Sequence, residues 1–288
     1  MLTNKYILTN EIDLTIRQPT HSGISPVIIL CHGFCGIQEI LLPKYAEAFS
    51  DAGYTTITFD YRGFGESGGE RGRLRPQMQI EDICSIIDWI STKPTLDKNR
   101  IALWGTSLGA CHVFGAAVAR PQIKCIISQM GFADGETIVT GKMDENEKQA
   151  FVGTLEKMVE KRERLGKEMF VAITKVLGDK ESKAFFDDNK EKYPSMDIKI
   201  PFLTVYETLQ YKPYLNAQQV TCPTLVVVAG EDTVNSPQQG IALYKSVRSE
   251  QKELFIENGA KHYDLYDGQH FDNVLLKQVD WLKKHLCL

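Results

Sequence analysis

Short apolar runs alternate with longer amphipathic stretches along most of this chain. Residues 26–31 (Pro-Val-Ile-Ile-Leu-Cys), 54–59, 101–103, 124–129 and 224–229 are unbroken or nearly unbroken in apolar and β-branched character, and Leu254-Phe255-Ile256 is a shorter version. Runs without polar alternation are expected of strands covered on both faces. Between them, residues 44–52 read as a helix closed by Gly53, and Ile80, Ile83, Cys84, Ile87 and Ile90 recur at helical spacing. Val274, Leu275, Val279, Leu282 and Leu286 give a last amphipathic helix. Ahead of all these, residues 7–17 alternate weakly across Asn10-Glu11, which predicts an opening β-hairpin. Strand–helix alternation of this kind predicts an α/β fold, a doubly wound and mostly parallel sheet.

From Gly135 to Leu215 the rhythm breaks. Charged, helix-favouring segments (142–148, 156–168, 180–192) are interrupted at helical intervals by Phe151, Leu155, Met158, Met169, Phe170, Ile173, Val176 and Leu177. The pattern predicts a helical cap, 135–215, inserted into a core made of 1–134 and 216–288. Long insertions in open α/β sheets sit at the carboxyl ends of the strands, where ligands bind. The less charged tail, 201–214, is expected to line a pocket wall, with Thr204 and Tyr206 contacting substrate.

Composition narrows the classes. The chain has 288 residues, 43% hydrophobic and 24% charged, with a net charge of −4. That balance offers no field for nucleic acid or an anionic membrane. No stretch approaches the roughly 20 apolar residues a membrane span needs, and the first residues lack the pattern of a secretory signal. Seven cysteines form an odd set without metal-type spacing; most read as small buried hydrophobes of a reducing, cytoplasmic compartment. A homodimer is compatible with this composition.

The chemistry concentrates at Trp104-Gly105-Thr106-Ser107-Leu108-Gly109, directly after a predicted strand. A strand driven sharply into a helix forces strained angles on the residue at the apex, and side chains two positions either side would clash. The helix that follows presents free N–H groups to the serine oxygen. A serine hydroxyl is a poor nucleophile at neutral pH, so it needs a base, and the base needs an orienting carboxylate. In this order of elements the acid follows the next-to-last strand and the histidine follows the last. Asp232 stands in the first place, with Glu231 as neighbour and rival. His262 stands in the second, with His270, beside the last helix, as its rival. An oxyanion hole requires two donors; the N–H groups of Leu108 and Phe34 are the candidates, with the Phe34 ring closing one side of the pocket. His32 reads as a loop brace and His112 as a packed residue facing away from the serine. His21 and His285 fall in surface segments. Asp60 and Arg62 read as architectural. Arg71, Arg73 and Arg75 read as solvated loop charges, or as a site for an anionic group such as a carrier phosphopantetheine.

Taken together, His32-Gly33-Phe34, the run Phe59-Asp60-Tyr61-Arg62-Gly63-Phe64-Gly65-Glu66-Ser67, Gly105-Thr106-Ser107-Leu108-Gly109, Gly230-Glu231-Asp232 and His262 resemble the α/β-hydrolase superfamily, in its order of motifs from residue 32 to 262. Trp104, the run Gly259 to Tyr266 and Val279-Asp280-Trp281-Leu282 are similar to a branch that includes S15-peptidase-like hydrolases, polyketide acyltransferases and thiohydrolases. The resemblance implies an α/β-hydrolase fold, a Ser107–Asp232–His262 triad and an acyl-enzyme route without metal or organic cofactor. The activity it implies is hydrolysis or transfer of an acyl group from a small ester or thioester substrate, free or carrier-linked. Amide or carbon–carbon cleavage of a polyketide-like substrate is the alternative, suggested by the aromatic cap tail (Phe202, Tyr206, Tyr211, Tyr214).

Overall fold

The computed structural model describes residues 1–20 and 23–287. A hairpin of β1 (Leu2–Ile7) and β2 (Asp13–Gln18) opens the chain. There follow β3 (Val27–Cys31), α1 (Leu42–Asp51), β4 (Thr55–Phe59), α2 (Pro76–Ile90), β5 (Ile101–Thr106), α3 (Leu108–Ala119) and β6 (Cys125–Gln129). An insertion carries α4 (Gly135–Thr140), α5 (Glu145–Leu165), β7 (Phe170–Ala172), α6 (Lys180–Asn189), β8 (Lys199–Pro201), α7 (Thr204–Gln210) and α8 (Pro213–Ala217). The core resumes with β9 (Thr224–Ala229), α9 (Pro237–Ser246), β10 (Lys252–Glu257) and α10 (Gly268–Leu286).

Eight strands form one sheet in the order β1-β2-β4-β3-β5-β6-β9-β10. β2 pairs antiparallel with β1 and β4; from β4 to β10 every pairing is parallel. Every residue of β3, β4, β5, β6 and β9 is buried, which is why those segments read as unbroken apolar runs. The two-residue period divides them between two layers. Val27, Ile29 and Cys31 pack with Ile83, Ile87 and Phe114 on the α2–α3 side, whereas Ile28 and Leu30 pack with Tyr45, Phe49, Trp104 and Leu282 on the α1–α10 side. Because β3 has β4 on one side and β5 on the other, the chain reverses its direction of winding there. The crevice beyond the carboxyl ends of β3 and β5 is the place such a sheet binds ligands.

The insertion departs from an all-helical cap, because β7 and β8 pair antiparallel, Phe170 opposite Pro201. Strands of three residues are too short to imprint a period on a charged segment. The cap has its own small core of Leu155, Leu203, Val205 and Leu209. Its longest helix, α5, buries Leu155 alone and relies on its ends: Asp144 and Glu147 form a capping box, and Gly166 closes the helix in the left-handed conformation. The predicted boundary at residue 215 falls inside α8. Arg73, read as a solvated loop charge or an anion site, is instead a strut between core and cap. Its guanidinium grips both carboxylate oxygens of Glu168 at 3.0 and 2.6 Å and also reaches Glu70. Arg75 and Arg162 both approach Glu207.

All seven cysteines are free, five of them buried. His285 is half-buried against Trp281, ring centroids 4.1 Å apart, rather than on the surface. The other histidine assigned to the surface, His21, lies outside the described residues. No described helix is long and apolar enough to cross a membrane.

Candidate active site

Ser107 follows β5 directly with φ 54° and ψ −120°, a conformation a residue with a side chain rarely adopts. The glycines on either side explain how the turn closes. A Cβ on Gly105 would stand 2.3 Å from the Gly109 carbonyl oxygen, and one on Gly109 would stand 2.3 Å from that of Cys31. The turn is held at its start by the Ser107 N–H, which donates to Gln129 C=O at 2.8 Å. The side chain of Ser107 projects from the carboxyl end of the central strand, at the entry to α3.

On the neighbouring loop, Gly33 lies so close that a Cβ there would come within 3.0 Å of the Ser107 Cβ. His32 shapes this loop. The Gly33 N–H donates to its Nδ1 at 2.7 Å, and its Nε2–H donates to Ile40 C=O at 3.0 Å. Burial lowers its pKa to about 4, so the ring is a neutral brace. The loop's own hydrogen bonds run from Gly36 N–H to Gly33 C=O and, across the turn, from Ala110 N–H to Ser107 C=O. The Phe34 N–H and the Leu108 N–H, first in α3, take no part in them. Both residues line the cavity that opens on Ser107.

The loop after β9 brings in the carboxylate. Asp232 is buried, and its Oδ1 accepts from the N–H groups of Val234 and Asn235, each at 2.8 Å. Its Oδ2 accepts from His262 Nδ1 at 2.7 Å. That bond fixes the imidazole tautomer and leaves Nε2 as the free acceptor. Glu231, the rival acid, is exposed, and His270, the rival base, pairs with Glu257 at the start of α10. Ser107 and His262 line one narrow recess. In this conformation Ser107 Oγ is not hydrogen-bonded to the imidazole; its one partner among the described residues is Asn235 Nδ2, at 3.5 Å. Hydrogen bonds of this kind are often long or unmade before a ligand enters. The pattern of motifs did not reveal Asn235. Its side chain also donates to Met130 C=O at 2.8 Å and so ties the acid loop to the end of β6; its only trace in the sequence is its place three residues after Asp232.

A cavity of about 320 Å³ lies between Ser107 and the cap. Its walls are largely apolar, with Phe132, Ile138, Phe151, Val176 and Phe202 among them. The predicted cap contacts need correcting. Thr204 and Tyr206 are not on this wall; Phe202, Val205 and Thr208 are. The segment is helical from residue 204, so positions three apart share a face. That face is 205 and 208, whereas Thr204 is buried beneath it and Tyr206 packs on the cap's own core. Tyr211 also turns away from the cavity. Its hydroxyl donates to His112 Nδ1 at 3.0 Å, while His112 Nε2 donates to Gln79 at 2.8 Å. Burial takes His112 down to about 3, in keeping with a packing role. Asp60 serves architecture too. It accepts from the N–H groups of Gln38 and Glu66, and burial pushes its carboxyl up to about 6. Among the described residues, no three His, Cys, Asp or Glu side chains cluster as a metal site would.

The family model described as the alpha/beta hydrolase fold matches residues 26–269. An Escherichia coli relative, named only as an uncharacterized 31.7 kDa protein of the traX-finO intergenic region, is 58% identical over 97% of this chain and 98% of its own. The quorum-quenching protein AidA of Acinetobacter baumannii is 26% identical, over 93% and 90% of the two chains. Relatives from Aspergillus species, 24–27% identical, are named a thiohydrolase, a polyketide transferase and an acyltransferase. Among solved structures, DcsB in complex with its substrate analogue superposes with a TM-score of 0.84 at 21% identity, covering 99% of each chain. The winding of the sheet, the strained serine turn and the family match over most of its length agree: this chain belongs to the α/β-hydrolase fold family.

Proposed function

We propose that the protein is a serine hydrolase that cleaves or transfers an acyl group from a small carboxylic ester or thioester. The observation that carries this reading is the 2.7 Å bond between His262 and the buried Asp232, set beside a serine in a strained turn and facing a largely apolar cavity. In the proposed cycle, Ser107 Oγ rotates toward His262 Nε2 and gives up its proton as it attacks the substrate carbonyl. The oxyanion is held by the N–H groups of Leu108 and Phe34. As the tetrahedral adduct collapses, the proton on Nε2 passes to the leaving oxygen or sulfur, and the acyl group stays on Ser107. A water or another acceptor, deprotonated by Nε2, then attacks the ester, and the proton returns to Oγ. Asp232 keeps Nδ1 protonated and stabilises the imidazolium.

Within the family, the names of the fungal relatives support the acyl-transferring and thiohydrolase branch, and the motifs around Trp104 and Gly259 to Tyr266 support the S15-peptidase-like likeness. Two further expectations change. Arg73 is committed to Glu168, so a carrier phosphate would have to find other partners. The carbon–carbon reading draws on the branch resemblance and on four cap aromatics, and of those aromatics Phe202 alone lines the cavity. The buried, free cysteines support a reducing, cytoplasmic setting.

The test compares acyl release from an ethyl ester and an N-acetylcysteamine thioester of one acid, with Ser107→Ala as the blank. Serine-dependent release from either supports the proposal, and the preferred leaving group separates esterase from thioesterase. Release that survives in Ser107→Ala, or inertness to both, would count against it.

A further inference from the structure

The cavity beside Ser107 has four polar side chains on an otherwise apolar wall: Ser107, Asn235, Thr208 and Lys175. Three are accounted for. Ser107 is the proposed nucleophile, Asn235 donates to Met130 C=O at 2.8 Å, and the Thr208 hydroxyl donates to Thr204 C=O at 2.9 Å. Lys175 is different. It stands in the one-turn 3-10 helix Ile173–Lys175 of the cap and is exposed at its outer end. Among the described residues it has neither an ion pair, a hydrogen bond nor an aromatic partner. Arg73 and Arg162 pair with Glu168, Lys148 with Glu136, and Lys212 with Asp134 and Glu136; among the cap's basic residues that show no such partner, Lys175 is the one that lines the cavity. A lysine that lines an apolar cavity while remaining exposed and without an ion-pair partner is placed to meet a charge arriving with the ligand.

The two recesses at Ser107 settle which part of a substrate that would be. The leaving group takes its proton from His262, and His262 lines the narrow recess, not this cavity. The acyl portion therefore occupies the cavity, whose wall includes Lys175.

We propose that Lys175 selects acyl groups that carry an anionic substituent, such as a carboxylate, on the acyl chain. This rests on the serine-hydrolase reading. Both are tested by inactivation with a matched pair of alkyl fluorophosphonates whose chains differ only in a terminal carboxylate or its methyl ester. An exposed ion pair is weak, so the carboxylate reagent is expected to label the wild type up to about fivefold faster, and less so as salt rises. Lys175→Met is expected to abolish that preference while labelling with the neutral reagent stays within about twofold. Lys175→Glu is expected to favour an amine-ended chain. Equal labelling of the wild type by both reagents, or an equal change for both in Lys175→Met, overturns the assignment of Lys175 and leaves the hydrolase reading intact. Failure of both reagents to label Ser107 overturns the hydrolase reading, and the role of Lys175 with it.

Discussion

At the scale of single residues, the site depends on a few atoms having no alternative place. Asp232 is held on one oxygen by two backbone N–H groups and offers the other to His262. Asp232→Asn keeps the shape but presents an amide where the imidazole N–H requires an acceptor. Turnover is expected to fall by about 10⁴ with the fold intact, as measured by kcat beside a circular-dichroism melt. A drop below tenfold would assign the carboxylate to packing. Gly109→Ala is expected to act on stability first, because its Cβ would enter the space of the Cys31 and His32 carbonyl oxygens. Overpacking of backbone against backbone costs on the order of 1–3 kcal/mol, and a melt unchanged from wild type would refute the steric account of this turn. Ser107, Asp232 and His262 were legible in the sequence because each follows a recognisable strand. Asn235 was not, because an asparagine in a loop looks like any turn residue until its contacts are known.

Among the elements, the buried strands and the inserted segment announced themselves, whereas the short strands β7 and β8 did not. β3, β5 and β9 are buried along their whole length, and so almost wholly apolar, because both faces are covered. α9 escaped notice, since it buries only Gly240 and Leu243 and so carries almost no apolar stripe. Thr204 and Tyr206 were misplaced because composition indicates that a segment is near a pocket, whereas the phase of the helix decides which side chains face it. Elements also meet at His112, which joins α2 through Gln79 to the tail of the cap through Tyr211. Its pKa is lowered from 6.5 to about 3 by burial. The unfolded chain therefore binds a proton below pH 6.5 that the folded chain refuses, and the stabilising effect of keeping this ring neutral fades as pH falls. The loss is bounded by about 1.4 kcal/mol per pH unit between 6.5 and about 3. Urea melts of wild type and His112→Gln across that range are expected to show the wild type losing more stability on acidification. Parallel pH profiles would contradict the assignment of a buried neutral ring.

For the whole molecule, the insertion between β6 and β9 covers the crevice and leaves a largely apolar cavity beside Ser107, and ion pairs fasten it to the core. Arg73 and Glu168 are both largely buried and meet through two parallel bonds, so removing Arg73 leaves the Glu168 carboxylate with Arg162 alone, at 3.7 Å. Arg73→Ala is expected to speed hydrogen exchange in residues 166–201 by an order of magnitude or more while β3, β5 and β6 stay protected. Uniform acceleration would mean that cap and core unfold as one unit. The central claim concerns the covalent step. An activated ester such as p-nitrophenyl butyrate has so good a leaving group that the acyl-enzyme should accumulate during turnover. Peptide mapping by mass of protein quenched in the first turnovers tests this directly. The account predicts a butyryl group on the peptide bearing Ser107 and neither adduct nor turnover in Ser107→Ala. An adduct on another residue, or turnover that survives the loss of the Ser107 hydroxyl, would contradict it.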